Sequence, residues 1–226
     1  EYGNASGHAG CRETKRSQGM IYAENLLLCI VIPLAITLLF LKKGARRFVF
    51  SFLVGMTVCL LAAYVGGYIQ LVFGMETEQV SVYVSPVTEE ILKLFPILFY
   101  LLLFEPKDEE ILHAAIGIGA GFATFENCCY VLSAGADNLA YVLIRGSAVG
   151  VMHIISMAAL AVGLHLLKKY GIFSFSGIMG ATSLAMTFHA LYNLLVSKPG
   201  FPSYVGYALP LFCALILYSQ KKLFLP

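Results

Sequence analysis

Residues 48–73 read FVFSFLVGMTVCLLAAYVGGYIQLVF, and this stretch decides the fold. It is apolar from end to end and lacks the strict alternation of a β-strand. A helix of this length crosses the roughly 30 Å of hydrocarbon in a bilayer. Six further apolar segments accompany it, at 20–41, 86–104, 111–134, 143–167, 172–196 and 203–219. Their length and lack of period-2 alternation exclude a β-barrel. The expected class is all-α, a polytopic transmembrane helix bundle of about seven spans. The 226 residues are 59% hydrophobic and 12% charged, against about 25% charged in an ordinary soluble domain. Disorder, an ordinary cytosolic enzyme and a nucleic-acid-binding domain are therefore excluded. The formal net charge of +2 gives no field for a polyanion, so no nucleic-acid partner is expected.

The segments form one domain, 20–226, embedded in lipid. Residues 1–19 are a polar tail ahead of Met20, which reads as a natural start. The six cysteines form no CxxC pair, and five lie in apolar runs, where they act as small hydrophobes. Gly117/Gly121 and Gly146/Gly150 stand four apart, a spacing that suits close helix packing. No internal repeat is evident.

Loop charges set the orientation. Lys42, Lys43, Arg46, Arg47, Lys107, Lys168, Lys169, Lys221 and Lys222 fall on one side, and only Lys198 on the other, the tail aside. The basic side is expected in the cytoplasm, with the N-terminus outside and the C-terminus inside.

Against this background the ionisable residues within the spans stand out, because a centred charge costs about 2.5–3.5 kcal/mol even on the lenient insertion scale. They are Glu89, Glu90, Lys93, Glu126, His153 and His189, with Arg145 at a span edge. In Ser85-Pro-Val-Thr-Glu89-Glu90-Ile-Leu-Lys93, Ser85 is the expected N-cap and Pro86 the first helical residue. Glu89 and Lys93 are four apart and expected to pair, leaving Glu90 to look elsewhere. Glu126 and Tyr130 share a face, so the phenol is expected to bond the carboxylate. His153 has Ser156 one turn on, and His189 has Asn193 four residues on. His113 and His165 lie near the cytoplasmic ends and are left out. At 1.5 Å per residue, Glu89, Glu90, Glu126, His153 and His189 all fall in the outer half of the membrane. One polar cavity open to the extracytoplasmic side is expected.

The motifs Glu89-Glu90-x-x-Lys93, Phe125-Glu126-x-x-x-Tyr130, His153 and His189-x-x-x-Asn193, in that order on four successive segments, resemble the PrsW family of bacterial intramembrane proteases. That family looks related to the CAAX prenyl endopeptidases and the bacteriocin-processing membrane proteases. Those usually have Arg where Lys93 stands and His after the second-motif Phe, where this chain has Glu126. The resemblance implies peptide-bond hydrolysis in a bacterial plasma membrane. It also implies a single-span membrane substrate, an anti-sigma factor, cut first on its extracytoplasmic side to open a regulated cascade.

No serine or cysteine beside a base marks a protein nucleophile, so water is expected to attack. Two versions stay open. A carboxylate alone activates water, with Glu89 or Glu90 as base and His189 with Asn193 stabilising the oxyanion. Alternatively His153, His189 and one carboxylate, Glu126, bind Zn²⁺, as in known catalytic zinc sets. The catalytic set in either case is Glu89, Glu90, Lys93, Glu126, His153, His189 and Asn193. Proton- or ion-coupled transport is the alternative activity, since acidic and His residues in a membrane cavity also serve it.

Overall fold

The computed structural model describes residues 23–134, 138–170 and 173–219. The tail 1–19 and the last basic pair, Lys221 and Lys222, lie outside them.

Every regular element among the described residues is helical. Seven long helices follow one another: α1 (Ala23–Thr37) and α2 (Lys43–Phe73), then α4 (Ser85–Phe104) and α5 (Asp108–Ala134), then α6 (Leu139–Tyr170), α7 (Phe173–Val196) and α8 (Phe201–Ser219). A single turn, α3 (Thr77–Gln79), and a π-helical stretch, Val80–Val84, lie between α2 and α4. The seven expected segments thus each become a helix. Four of them, α2, α5, α6 and α8, are long and apolar enough to cross a membrane by length and composition. The 20-residue α4 and 24-residue α7 have the length. They also carry Glu89, Glu90 and Lys93, and His189 and Asn193, respectively. Large apolar side chains such as Leu71, Phe99, Leu102, Leu184 and Leu215 point outward, as a lipid solvent allows.

Ser85 does not cap α4. The backbone before it is already helical, so the first amides of α4 have helical carbonyls as partners and need no side-chain acceptor. Pro86 does sit in the first turn of α4, as expected.

Packing brings the polar helices together. A Cβ on Gly121 would run into the Phe52 carbonyl, and one on Gly55 into the Ile118 carbonyl. These glycines let α2 and α5 touch backbone to backbone. Gly119 likewise lets α5 meet α6 at the His153 carbonyl, where a Cβ would stand 2.8 Å away. Of the expected glycine pairs, Gly117 and Gly121 pack tightly, whereas Gly150 faces open space. α6 is central, with 56% of its membrane-length window buried against 11% for α8.

Charges segregate to the two ends of the bundle. Arg47–Glu110 (2.7 Å) and His165–Asp108 (3.0 Å) lie at one end, and Lys198–Glu78 (2.9 Å) at the other.

Candidate active site

Four helices meet around a buried polar cluster. α4 supplies Glu89, Glu90 and Lys93, α5 Glu126, α6 Arg145 and His153, and α7 His189. Glu90, Lys93 and His153 are fully buried, and His189 is 3% exposed. A buried ion pair beside buried imidazoles in an apolar bundle is tolerable only if each polar group has a partner.

The pairing is specific. Lys93 Nζ donates to Glu90 Oε1 at 2.7 Å and lies 2.7 Å from His153 Nδ1. The ammonium has only protons to offer, so Nδ1 is the acceptor. His153 Nε2 then carries the ring proton and donates to Glu126 Oε2 at 2.6 Å. Glu90 Oε1 also accepts from His189 Nδ1 at 2.9 Å. That bond leaves the His189 Nε2 lone pair facing Glu89, 3.8 Å away. The two imidazoles stand edge to face at 5.0 Å, and Phe122 lies under both Lys93 and His153.

Lys93 therefore pairs with Glu90, three residues back, and not with Glu89 as expected. Both spacings reach, and tertiary placement chooses between them. Lys93 must also meet His153 and the Phe122 ring, and these lie on the Glu90 side. Glu89 is the carboxylate that looks elsewhere, toward His189.

Nor does Tyr130 hold Glu126. Its hydroxyl lies 2.9 Å from that of Tyr141. Arg145 takes the carboxylate instead, at 3.1 Å, while bonding Asn127 and stacking 3.6 Å from the centre of the Tyr130 ring. A neighbouring charge simply outcompetes a phenol. Asn193 sits outside the cluster, and its amide donates to the Ser81 carbonyl at 2.8 Å, tying α7 to the π-helical stretch. Ser156 contacts only the Met152 sulfur, so it is no activated nucleophile.

Arg145 and Asn127 went unassigned in the sequence, although an arginine in an otherwise apolar segment was the available signal. Nothing in the pattern marked Phe122.

One ligand-type atom each from Glu89, His153 and His189 lies within 4.8 Å of the others. The carboxylate in this group is Glu89, where Glu126 was expected, because Glu126 is held by His153 and Arg145. Buried oxygens Glu89 Oε2 and Glu90 Oε2 have no hydrogen-bond partner. Such orphaned carboxylate oxygens, with a histidine lone pair beside them, are donors suited to a divalent cation. Beside this group a cavity of about 650 Å³ opens, lined among others by Glu89, Glu126 and Arg145.

A helical bundle with polar residues of this kind buried among apolar spans defines a multi-pass membrane protein. The family described as PrsW family intramembrane metalloprotease matches residues 43–218, from α2 through α8. The chain belongs to that family, and it is accordingly an intramembrane protease. Neither the curated proteins nor the solved structures provide a match.

Proposed function

We propose that the chain is a zinc-dependent endopeptidase that holds the metal through Glu89, His153 and His189. In this reading it cuts a single-span membrane protein near the extracytoplasmic face of a bacterial plasma membrane, the N-terminus being outside. The substrate class that goes with the family resemblance is an anti-sigma factor, cut at the first site of a cascade. The observation that carries the reading is the approach of three ligand atoms to within 4.8 Å, with orphaned carboxylate oxygens beside them.

When bound, zinc supplies Lewis acidity toward a carbonyl oxygen and makes a neighbouring water more acidic. The remaining work falls to the protein. Glu90 fixes the His189 tautomer whose Nε2 lone pair would hold the ion, as outer carboxylates do for ligating histidines. Lys93 neutralises Glu90 and orients His153. Glu126 is one-third exposed and lines the cavity. It is the base that takes a proton from the attacking water. The water oxygen bonds to the scissile carbon, the C–N bond breaks, and Glu126 returns the proton to the leaving amine. Arg145 keeps Glu126 in place. For His153 to hold the ion through Nε2, its Nε2 proton would have to leave through the cavity to solvent and Lys93 would pass a proton to Nδ1, so that the ring stays a neutral imidazole and Glu126 is released from that hydrogen bond.

The carboxylate-only mechanism has one observation in its favour: both nitrogens of His153 are already engaged. Its weakness lies in the oxyanion. Asn193 is tied to Ser81, and His189 Nε2 is the lone-pair nitrogen, so neither proposed donor is poised. Glu90, buried in its ion pair, is also a poor base.

Metal analysis of the purified full-length protein decides between the two. The expected result is about one zinc per chain, almost none in His153→Ala or His189→Ala, and cleavage that stops with chelator and returns with zinc. A metal-free preparation with full cleavage activity would end the zinc reading.

A further inference from the structure

The cavity beside the cluster has two unlike walls. On one stand Glu89, Glu126 and Arg145. On the other, two turns of α2 present Ala62, Ala63, Gly66 and Gly67. Several glycines of this bundle, Gly55, Gly119 and Gly121 among them, serve helix contacts. Gly66 does not. A Cβ there would meet only Val80 Cγ1, at 3.9 Å. No neighbouring helix needs the space that Gly66 leaves open, and the space belongs to the cavity.

A peptide bond in an intact helix is a poor target, because its carbonyl is hydrogen-bonded four residues on and its side chains hold other groups away. An unwound backbone is accessible, but in lipid its free N–H and C=O groups need polar partners. The cavity carries Gln70, Ser85 and Ser133 besides its charged wall. At about 650 Å³ it is of ordinary ligand size, within roughly 300–1,000 Å³. It lies on the open side of the cluster, where Glu89 and Glu126 are its partly exposed members. On the α1 side Ala23 lines it, and Tyr64 bonds Glu24 across the gap between α1 and α2.

We infer that this cavity seats the cleaved stretch of the substrate span in unwound form, its side chains toward Ala63 and Gly66 and its scissile bond toward Glu89 and Glu126. The inference rests on the peptidase reading and deepens it. It makes the small α2 wall a specificity determinant: spans with a local helix break are cut, and uninterrupted ones are spared.

The test uses the full chain in phosphatidylethanolamine/phosphatidylglycerol vesicles. The probe is a designed Leu/Ala single-span peptide with a central Gly-Pro break, and its unbroken counterpart serves for comparison. A photo-crosslinking benzoylphenylalanine replaces Leu132, a large exposed residue of the cavity lining, or replaces Phe99 on the lipid-facing side of α4. Capture needs no catalysis, so it is read in the wild-type and Glu89→Gln backgrounds alike. The expected result is at least tenfold more capture of the broken probe at 132 than at 99. Equal capture at the two positions overturns the inference. Cleavage is the second readout. Gly66→Leu and Ala63→Leu, folded by gel filtration, should cut the broken probe at least tenfold more slowly than wild type while retaining its zinc content. Wild-type rates in both overturn the inference and leave the peptidase reading intact. Capture at 132 without any cleavage supports the groove and counts against the peptidase reading.

Discussion

Replacing Lys93 by Met leaves the Glu90 carboxylate buried without its cation. Both side chains are fully buried and 2.7 Å apart. At an effective dielectric near 20, that separation corresponds to about 6 kcal/mol of direct attraction. Desolvation of the two ions offsets most of it, so the pair itself contributes little net stability. Breaking it from one side is another matter, since the remaining charge keeps its desolvation penalty, and the cost is about 3–5 kcal/mol. The folding equilibrium should fall by roughly 10²–10⁴-fold. The double variant Glu90→Gln/Lys93→Met removes both charges and should recover most of that loss. It should not recover cleavage, because the His189 tautomer and the His153 orientation lose their charged partners. Reversible unfolding in mixed detergent micelles measures wild type, Lys93→Met, Glu90→Gln and the double variant, and the double-mutant cycle extracts the coupling. Single variants within 1 kcal/mol of wild type would refute the buried pairing and the active-site organisation built on it.

Three other expectations follow from the packing and topology. Gly121→Ala forces α2 and α5 apart and should destabilise the bundle by about 1–3 kcal/mol, read in the same unfolding assay; an unchanged midpoint would contradict the backbone contact at Phe52. Asn193→Ala removes one hydrogen bond to the π-helical stretch and should cost about 0.5–1.5 kcal/mol, weakening cleavage without emptying the metal site; loss of metal there would make Asn193 a direct participant. Single-cysteine labelling should reach residues 75–84 and 197–202 from outside and residues 42–47 and 168–170 only after permeabilisation, and labelling of both sets from one side would overturn the orientation and the outward-facing site with it.

The sequence by itself determined the class. Apolar runs the length of a bilayer admit only helices, because an unpaired backbone in hydrocarbon is too costly. Seven such runs became seven long helices. It also identified most of the buried cluster, since a charge in such a run has few explanations other than a site. What it could not decide was who pairs with whom. Glu89 and Glu90 both lie within one turn of Lys93, and helical spacing accepts either. Contacts from α5 and α6, through Phe122 and His153, select Glu90. The same holds for Glu126, whose partner proved to be Arg145, 19 residues away on the next helix, and not Tyr130 on its own. It holds again for Asn193, which faces a backbone carbonyl in a different element. Periodicity specifies which face of a helix a residue occupies. Only the packing of α2, α5 and α6, set by glycines that let their backbones touch, specifies what that face meets.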